Sequence, residues 1–295
     1  MKLVRFGPPG EERPGIWVED RGEPEIVDVR GMAFDISDYD AHFFSCWGLD
    51  RLRGLLAEKQ QKRIPAVGVR LGPPIARPAN LICVGKNYAD HALEFDGTPP
   101  TEPVLFSKAP TSMIGPADPI RIPAGWNEVD AEAELGVVIG KTARAVRCSE
   151  AMAVVAGYLV VNDVTERRAQ REGGQWFRGK SFDTFCPIGP WLVTADEVPD
   201  PQNLSISSRL NGEPLQSGTT RSMIFSVADL IEFITSTMTL HPGDVIATGT
   251  PSGVGFARKP PKLLRPGDII EIEIERVGRL CNPVVSEASL GADAQ

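Results

Sequence analysis

Three acidic residues stand beside apolar runs that are typical of buried strands. Glu132 and Glu134 lie two residues apart at the start of the run 133–139, and Asp163 follows the run 158–161. On a strand the two glutamates project from the same face, roughly 7 Å apart, because side chains alternate and each residue rises ~3.3 Å. Carboxylates without Cys or His make a hard oxygen site, which suits Mg²⁺ or Mn²⁺ and leaves positions for substrate oxygens. The pattern predicts a divalent metal centre at these three residues.

The same spacing has a plainer explanation. Glu271, Glu273 and Glu275 alternate with isoleucines in a similar way, and that run is typical of the wet face of a half-buried strand. Asp163, taken alone, also fits a turn cap. A surface strand and a turn cap therefore stay open as alternatives to the metal centre.

His91 and Glu94 form a second candidate group in the string GKNYADHALE. Three residues apart on a helical turn, the carboxylate is close enough to orient the imidazole and raise its basicity. This arrangement fits a general-base dyad, and it fits a surface ion pair as well. The other two histidines, His42 and His241, are expected to be structural.

The string GQWFRGKS, residues 174–181, matches the phosphate-binding P-loop pattern GxxxxGK[ST]. A P-loop follows a buried strand and opens a helix, whereas this string follows the polar run ERRAQREGG and leads to Pro187, which ends any helix. Nucleotide binding at 174–181 is therefore a distant alternative. Lys180 is instead a candidate cation for an oxyanion, and the glycine-rich turn 248–255 offers Thr250 and backbone N–H groups to a substrate carboxylate.

Composition excludes several classes of protein. The chain has 295 residues, of which 42% are hydrophobic and 24% charged, so it is neither disordered, collagen-like nor membrane-spanning. The net charge of −8 argues against a partner nucleic acid bound through its phosphates. Five cysteines without a CxxC pair fit reduced thiols. No secretory signal is readable, so we expect a soluble cytoplasmic protein with no membrane partner.

Glycine and proline, 29 and 26 residues, divide the chain into short pieces and indicate a β-rich α+β fold. The proline-rich stretch 70–78 predicts a boundary between a small N-terminal α+β domain, 1–75, and a larger domain, 76–295. Strands are predicted at 3–6, 15–18, 26–29, 81–84, 104–106, 133–139, 158–161, 191–193, 244–247 and 269–274, and helices at 49–59 and 226–238. Ser226 is the candidate N-cap of the second helix, with Asp229 three residues on.

Taken together and in this order, seven strings resemble the fumarylacetoacetate hydrolase family over residues 80–275. They are ICVGKNYADHALE (82–94), PVLFSKAPTSMIGP (103–116), DAEAELGVVIGK (130–141), GYLVVNDVTERRAQ (157–170), GKSFDTFCPIGPWLVT (179–194), the Thr219/Met223 segment and HPGDVIATGTPSGVG (241–255). The start, MKLVRFGPPGEERPGI, resembles the bacterial branch with a short N-terminal domain. Members of that branch are labelled diketo-deoxy-sugar-acid hydrolases, ureidoglycolate lyases, isomerase/decarboxylases or acylpyruvase-like proteins.

The resemblance implies a mixed β-sandwich roll for the catalytic domain and assembly as a homodimer. The implied metal ligands, for Mg²⁺ or Mn²⁺, are Glu132, Glu134 and Asp163. The implied catalytic residues are the acid/base pair His91 and Glu94, with Lys180 and Gln170 facing the developing oxyanion. The implied substrate contacts are Lys86, Tyr88, Arg167 and Thr250.

The implied reaction is metal-dependent hydrolysis of a C–C bond in a 2,4-dioxo acid, of the acylpyruvate or diketo-deoxy sugar acid type, through a metal-held enolate. Decarboxylation or isomerisation of a 2-oxo acid on the same metal site stays open, as does a ureidoglycolate lyase activity. Residues 95–102 are expected to form a lid that sets which acyl group is accepted.

Overall fold

The computed structural model describes residues 1–20, 22–95 and 98–290. In chain order the strands of this part are β1 (Lys2–Phe6), β2 (Arg13–Val18), β3 (Glu25–Asp28), β4 (Arg63–Pro65), β5 (Leu81–Gly85), β6 (Val104–Ser107), β7 (Met113–Ile114), β8 (Ile120–Ile122), β9 (Val129–Asp130), β10 (Ala133–Ile139), β11 (Val155–Asn162), β12 (Thr165–Glu166), β13 (Cys186–Thr194), β14 (Ser205–Leu210), β15 (Glu213–Thr219), β16 (Val245–Ala247), β17 (Ile269–Ile274) and β18 (Gly278–Ser286). The helices are α1 (Ala41–Ser45), α2 (Gly48–Ala57), α3 (Ala89–Phe95), α4 (Cys148–Ala151), α5 (Arg167–Arg171), α6 (Phe177–Lys180) and α7 (Val227–Thr237). None of the helices described is long and apolar enough to cross a membrane. The predicted β-rich α+β class is confirmed.

A mixed sheet of eleven strands runs through the molecule in the order β4-β3-β2-β1-β13-β11-β10-β16-β5-β6, with β7 beside β13. All seven residues of β10 are buried. Leu135 and Val137 of β10 belong to one apolar core, and the next residue, Val138, points to the other face and belongs to a second. Both faces of the sheet are therefore covered, which explains why β10 reads as a continuous apolar run.

The N-terminal strands extend this same sheet. β1 pairs antiparallel with β13, and Leu3 lies opposite Leu192. Leu3 also packs in the core that contains Leu159 of β11. The segment 1–75 thus adds strands to the sheet that carries the site, and the boundary between residues 75 and 76 stays a prediction.

A second sheet of five strands has the order β15-β14-β17-β18-β8. β17 covers the predicted range 269–274, and Ile270, Ile272 and Ile274 are buried while Glu273 is exposed. The wet-face interpretation of these glutamates is confirmed. β14 and β15 were not predicted, because their segments SISSRL and EPLQSGT contain few apolar residues.

Helix α7 matches its prediction closely. The Ser226 side chain accepts a hydrogen bond from the Asp229 amide, and the Asp229 side chain binds the Ser226 amide, which makes a capping box. The helix predicted at 49–59 is α2, which begins one residue earlier and ends two residues earlier. Residues 96 and 97 of the expected lid lie outside the described residues.

Candidate active site

Neighbouring strands bring the three predicted acids together. Glu134 lies in β10, Glu132 immediately precedes that strand, and Asp163 immediately follows β11. Ala133 is opposite Asn162 in the ladder, so the Asp163 amide meets the Glu132 carbonyl at 2.9 Å. One oxygen of each carboxylate lies within 4.8 Å of the other two. All three side chains are buried, which a surface strand or an exposed turn cap does not explain.

Lys180, the last residue of α6, reaches between two of these carboxylates. Its ammonium donates to Glu132 Oε2 at 2.7 Å and to Asp163 Oδ2 at 2.5 Å. Arg167, the first residue of α5, binds Glu132 Oε1 at 2.6 Å. Both cations are buried. Lys180, predicted to face an oxyanion, and Arg167, predicted to contact the substrate, therefore both bind to the acid cluster.

Two further buried residues complete this network, and neither of them was predicted to belong to the site. The Lys108 ammonium donates to Asp163 Oδ1 at 2.7 Å and to the Val164 carbonyl at 3.1 Å. Asp130 Oδ2 accepts from Arg167 Nη2 at 2.6 Å and from Arg167 Nε at 3.1 Å. A lysine is rarely buried without a partner. The partners of Lys108 are far from it in the sequence, so no local pattern marks this residue. Its place in one of the seven family-like strings is the signal that could have found it.

The network holds more acids than cations. The buried carboxylates are Asp130, Glu132, Glu134 and Asp163, and the buried cations are Lys108, Arg167 and Lys180. Burial opposes ionisation of Glu132, but the charges of Lys180 and Arg167 outweigh it and hold the pKa of Glu132 well below its usual range. Burial, together with the charges of Asp163 and Glu132, raises the pKa of Glu134 well above its usual range.

A divalent ion among the three carboxylates would remove the repulsion at Glu134. Four negative and three positive charges leave the ionised network at −1, and a divalent ion would bring it to +1. An all-carboxylate donor set suits a hard ion such as Mg²⁺ or Mn²⁺. The residues present therefore fit the predicted metal, and the resulting positive charge would favour an anionic substrate.

The predicted dyad lies on α3. His91 Nδ1 is 3.0 Å from Glu94 Oε2, and Glu94 Oε1 accepts from the Gly253 amide at 2.7 Å. With the Nδ1 proton donated to the carboxylate, Nε2 is the basic nitrogen of the ring. His91 is only 7% exposed, which does not fit the alternative of a surface ion pair.

A cavity of about 390 Å³ opens onto these groups. The predicted site residues that line it are Lys86, His91, Glu132, Glu134, Arg167, Gln170, Lys180 and Thr250. Glu94 and Asp163 do not line the cavity themselves. Glu94 is hydrogen-bonded to His91 and Asp163 to Lys180, and both of these partners line it. Thr250 Oγ1 is held by the Gln216 amide at 2.7 Å. The cavity thus collects the acids, the dyad and the cations in one place.

The order of these elements and side chains is that of a known family. The family model described as "Fumarylacetoacetate (FAA) hydrolase C-terminal" matches residues 80–285. The chain belongs to the fumarylacetoacetate hydrolase family.

Relatives of this family cover nearly the whole chain. A Burkholderia multivorans protein named "Putative hydrolase" is 48% identical over 282 residues, which are 94% of this chain and 96% of that protein. The structure of a fumarylacetoacetate hydrolase from Exiguobacterium antarcticum is 42% identical, with a TM-score of 0.82, and covers 97% of this chain and 100% of its own. The structure of a 2-hydroxyhepta-2,4-diene-1,7-dioate isomerase from Mycobacterium marinum is 34% identical, with a TM-score of 0.77 and coverage of 97% and 99%. The predicted family fold is confirmed, and the family includes both hydrolases and isomerases.

The P-loop alternative does not fit the family fold. Residues 174–181 follow α5 and not a strand, and the short helix α6 ends at Lys180 where a P-loop helix would begin. Residues 174–181 therefore match the P-loop pattern in sequence but not in structure.

Tyr88 occupies a different position from the other predicted substrate contacts. It is 1% exposed and does not line the cavity, and its hydroxyl has no hydrogen-bond partner among the described residues. Burial, together with the Glu134 charge, raises the pKa of Tyr88, so the phenol stays neutral. A direct contact between Tyr88 and a substrate stays a prediction.

Proposed function

We propose that this protein is a divalent-metal-dependent hydrolase that cleaves the C3–C4 bond of a 2,4-dioxo acid. One observation carries the proposal: the His91–Glu94 dyad, whose imidazole is buried, and the three-carboxylate cluster line or back the same 390 Å³ cavity. Hydrolysis of a 2,4-dioxo acid requires a base that activates water and a metal site that holds the 2-oxo acid close to that base. The dyad and the acid cluster are suited to these two tasks. Glu132, Glu134 and Asp163 would hold Mg²⁺ or Mn²⁺. When bound, that ion supplies Lewis-acid polarisation of the substrate oxygens.

The dyad prepares the attacking water. Glu94 fixes the ring through Nδ1, and His91 Nε2 takes a proton from water as its oxygen adds to C4. The bond between C3 and C4 then breaks, and its electron pair remains on C3 until the proton held by His91 returns to that carbon. The products are pyruvate and the carboxylic acid of the acyl group, so every atom of the water is accounted for.

Cations beside the acids stabilise the charges that form. The Lys180 ammonium is the donor that we assign to the oxygen on C4. Gln170 assists it, because its Oε1 accepts from Arg167 Nη1 at 3.1 Å and its amide N–H groups are the remaining donors. We assign Arg167, Lys86 and Thr250, which line the cavity, to the substrate carboxylate.

A second candidate function uses the same residues without water. An isomerase or decarboxylase of a 2-oxo acid needs a base and a polarised 2-oxo group, and the Mycobacterium marinum relative is named an isomerase. A ureidoglycolate lyase is a further alternative. Incorporation of ¹⁸O from labelled water into the released acid separates hydrolysis from all of these reactions.

The experiment is a panel of acylpyruvates, a diketo-deoxy sugar acid, oxaloacetate and ureidoglycolate, assayed with Mg²⁺, with Mn²⁺ and with chelator. We expect pyruvate release from an acylpyruvate, loss of activity with chelator, and at least about a hundredfold lower kcat in His91→Ala with unchanged metal binding. Unchanged hydrolysis in His91→Ala would refute the assigned base, and carbon dioxide release from oxaloacetate alone would favour the decarboxylase. Light scattering on the same sample tests the proposed homodimer.

A further inference from the structure

Four apolar or aromatic residues, Val84, Gly85, Phe106 and Trp176, line part of the cavity, and we call the side formed by the two rings the aromatic wall. The rings of Phe106 and Trp176 stand edge to face, with centroids 5.3 Å apart and planes at 69°. The indole N–H is the only side-chain hydrogen-bonding group among these four residues. This side of the cavity is therefore apolar, whereas Gln170, Arg171 and other polar side chains line the rest.

Gly85 is fitted to the indole of Trp176. A Cβ atom on Gly85 would lie 2.4 Å from Cζ3 and 2.9 Å from Cη2 of that ring. Gly85 is not among the residues with positive φ, so the backbone does not require glycine there. Glycine is required instead because a side chain at this position would occupy the space of the indole. The place of Trp176 is thus set by the end of β5 as well as by its own segment.

The wall begins beside the group that we assign to the C4 oxygen. The Lys180 ammonium lies 5.1 Å from the centroid of the Phe106 ring, and Phe106 in turn contacts Trp176. In a 2,4-dioxo acid the acyl substituent is attached to C4. A substrate whose C4 oxygen meets Lys180 therefore places that substituent against Phe106 and Trp176.

From this juxtaposition we propose that Trp176 is a specificity-determining residue and that the acyl substituent is flat and unsaturated, either aryl or conjugated alkenyl. The inference rests on the proposed hydrolase function and adds the substrate class to it. A planar apolar group gains contact with the edges and faces of both rings. The hydroxyls of a sugar acid would lose water against the wall without finding a partner, which is unfavourable.

Kinetics with two acylpyruvates test the wall. Benzoylpyruvate carries a phenyl group and acetylpyruvate a methyl group, and the ratio of their kcat/KM values measures the preference. The wild type is expected to prefer benzoylpyruvate, and Trp176→Ala to lower its kcat/KM about tenfold or more while changing that for acetylpyruvate less than about threefold. Phe177→Ala is the matched control, since Phe177 is the next residue, is 48% exposed and does not line this cavity; its ratio should equal that of the wild type.

An unchanged ratio in Trp176→Ala, or a wild type that prefers acetylpyruvate, would overturn the inference. Gly85→Ala displaces the indole without removing it, so it should lower the ratio in the same direction and serves if Trp176→Ala fails to fold. Trp176→Phe keeps an aromatic ring and should retain most of the preference.

Binding separates this inference from the hydrolase proposal. Calorimetry in Mg²⁺ with 2-oxo-4-phenylbutanoate and 2-oxobutanoate, neither of which has a cleavable 4-oxo group, should give tighter binding of the phenyl compound by wild type but not by Trp176→Ala. If the wild type cleaves no acylpyruvate, the proposed function fails, and these affinities still decide whether the wall selects flat groups.

Discussion

The Lys108 ammonium lies 2.7 Å from Asp163 Oδ1, and neither side chain has any exposed surface. The same ammonium donates to the Val164 carbonyl at 3.1 Å and to the main-chain carbonyl of Lys180. One buried cation therefore ties the residue after β11 to the last residue of α6. Asp163 and Lys180, which the proposed chemistry needs side by side, share this one support.

Replacing Lys108 by methionine keeps the length of the side chain but leaves Asp163 with Lys180 as its remaining cation. Removal of one partner from a buried ion pair costs roughly 3–5 kcal/mol, so we expect the free energy of unfolding in urea to fall by about that amount. Lys262→Met is the control, because Lys262 and its partner Glu213 are both exposed, and it should change stability little. Equal stability of Lys108→Met and wild type would show that the buried pair does not support the site.

Glu134 gives the metal site a pH dependence of known sign. Burial, with the nearby charges of Asp163 and Glu132, raises the pKa of Glu134 above the usual 4.5, so in the metal-free folded protein this carboxyl keeps its proton to a higher pH than an ordinary glutamate does. Metal binding needs the carboxylate and therefore releases a proton, and affinity should rise as the pH rises. In the metal-free protein the sign is opposite. A folded pKa above the unfolded one stabilises at low pH, and this contribution is lost as the pH rises through the raised pKa.

Calorimetry of Mn²⁺ binding in two buffers of different ionisation enthalpy counts the released protons. At pH values above 4.5, where an ordinary glutamate is already mostly ionised, we expect net proton release from wild type and none attributable to this group in Glu134→Gln, which should also bind the ion far more weakly. Glu273→Gln, on the exposed face of β17, should behave as wild type. Metal binding without proton release would contradict the raised pKa.

The elements that local patterns define were predictable, and the contacts between them were not. β10 and β17 were predicted to the residue because their apolar runs and alternations are uninterrupted. The polar strands β14 and β15 were missed, since their place depends on the pairing of β14 with β17 and of β15 with β14, and not on their own apolar residues. For the same reason Lys108 was missed: its partners Asp163 and Lys180 lie 55 and 72 residues further along the chain.

The capping box of α7 predicts a stability effect away from the site. Ser226→Ala removes the side-chain acceptor for the Asp229 amide and should lower the free energy of unfolding by about 1 kcal/mol. Ser236→Ala, an exposed hydroxyl near the other end of the helix, should change it less. Both variants should keep wild-type kcat and KM, because neither residue lines the cavity.

Glu94 is expected to act on the reaction through His91. Its two oxygens are divided between His91 Nδ1 at 3.0 Å and the Gly253 amide at 2.7 Å, so the carboxylate both orients the ring and is itself held in place. Glu94→Gln keeps the shape but removes the charge that stabilises the imidazolium formed when water is deprotonated. We expect kcat to fall about ten- to a hundredfold with KM nearly unchanged, since Glu94 does not line the cavity.

The control variant for the role of Glu94 lies on the same helix. Asp90→Asn removes an exposed charge from the first turn of α3 and should leave kcat unchanged. Mn²⁺ affinity, measured by calorimetry, should match wild type in Glu94→Gln, because Glu94 is not among the three acids of the cluster. A loss of metal affinity equal to the loss of kcat would mean that Glu94 supports the fold of the site and does not act through His91.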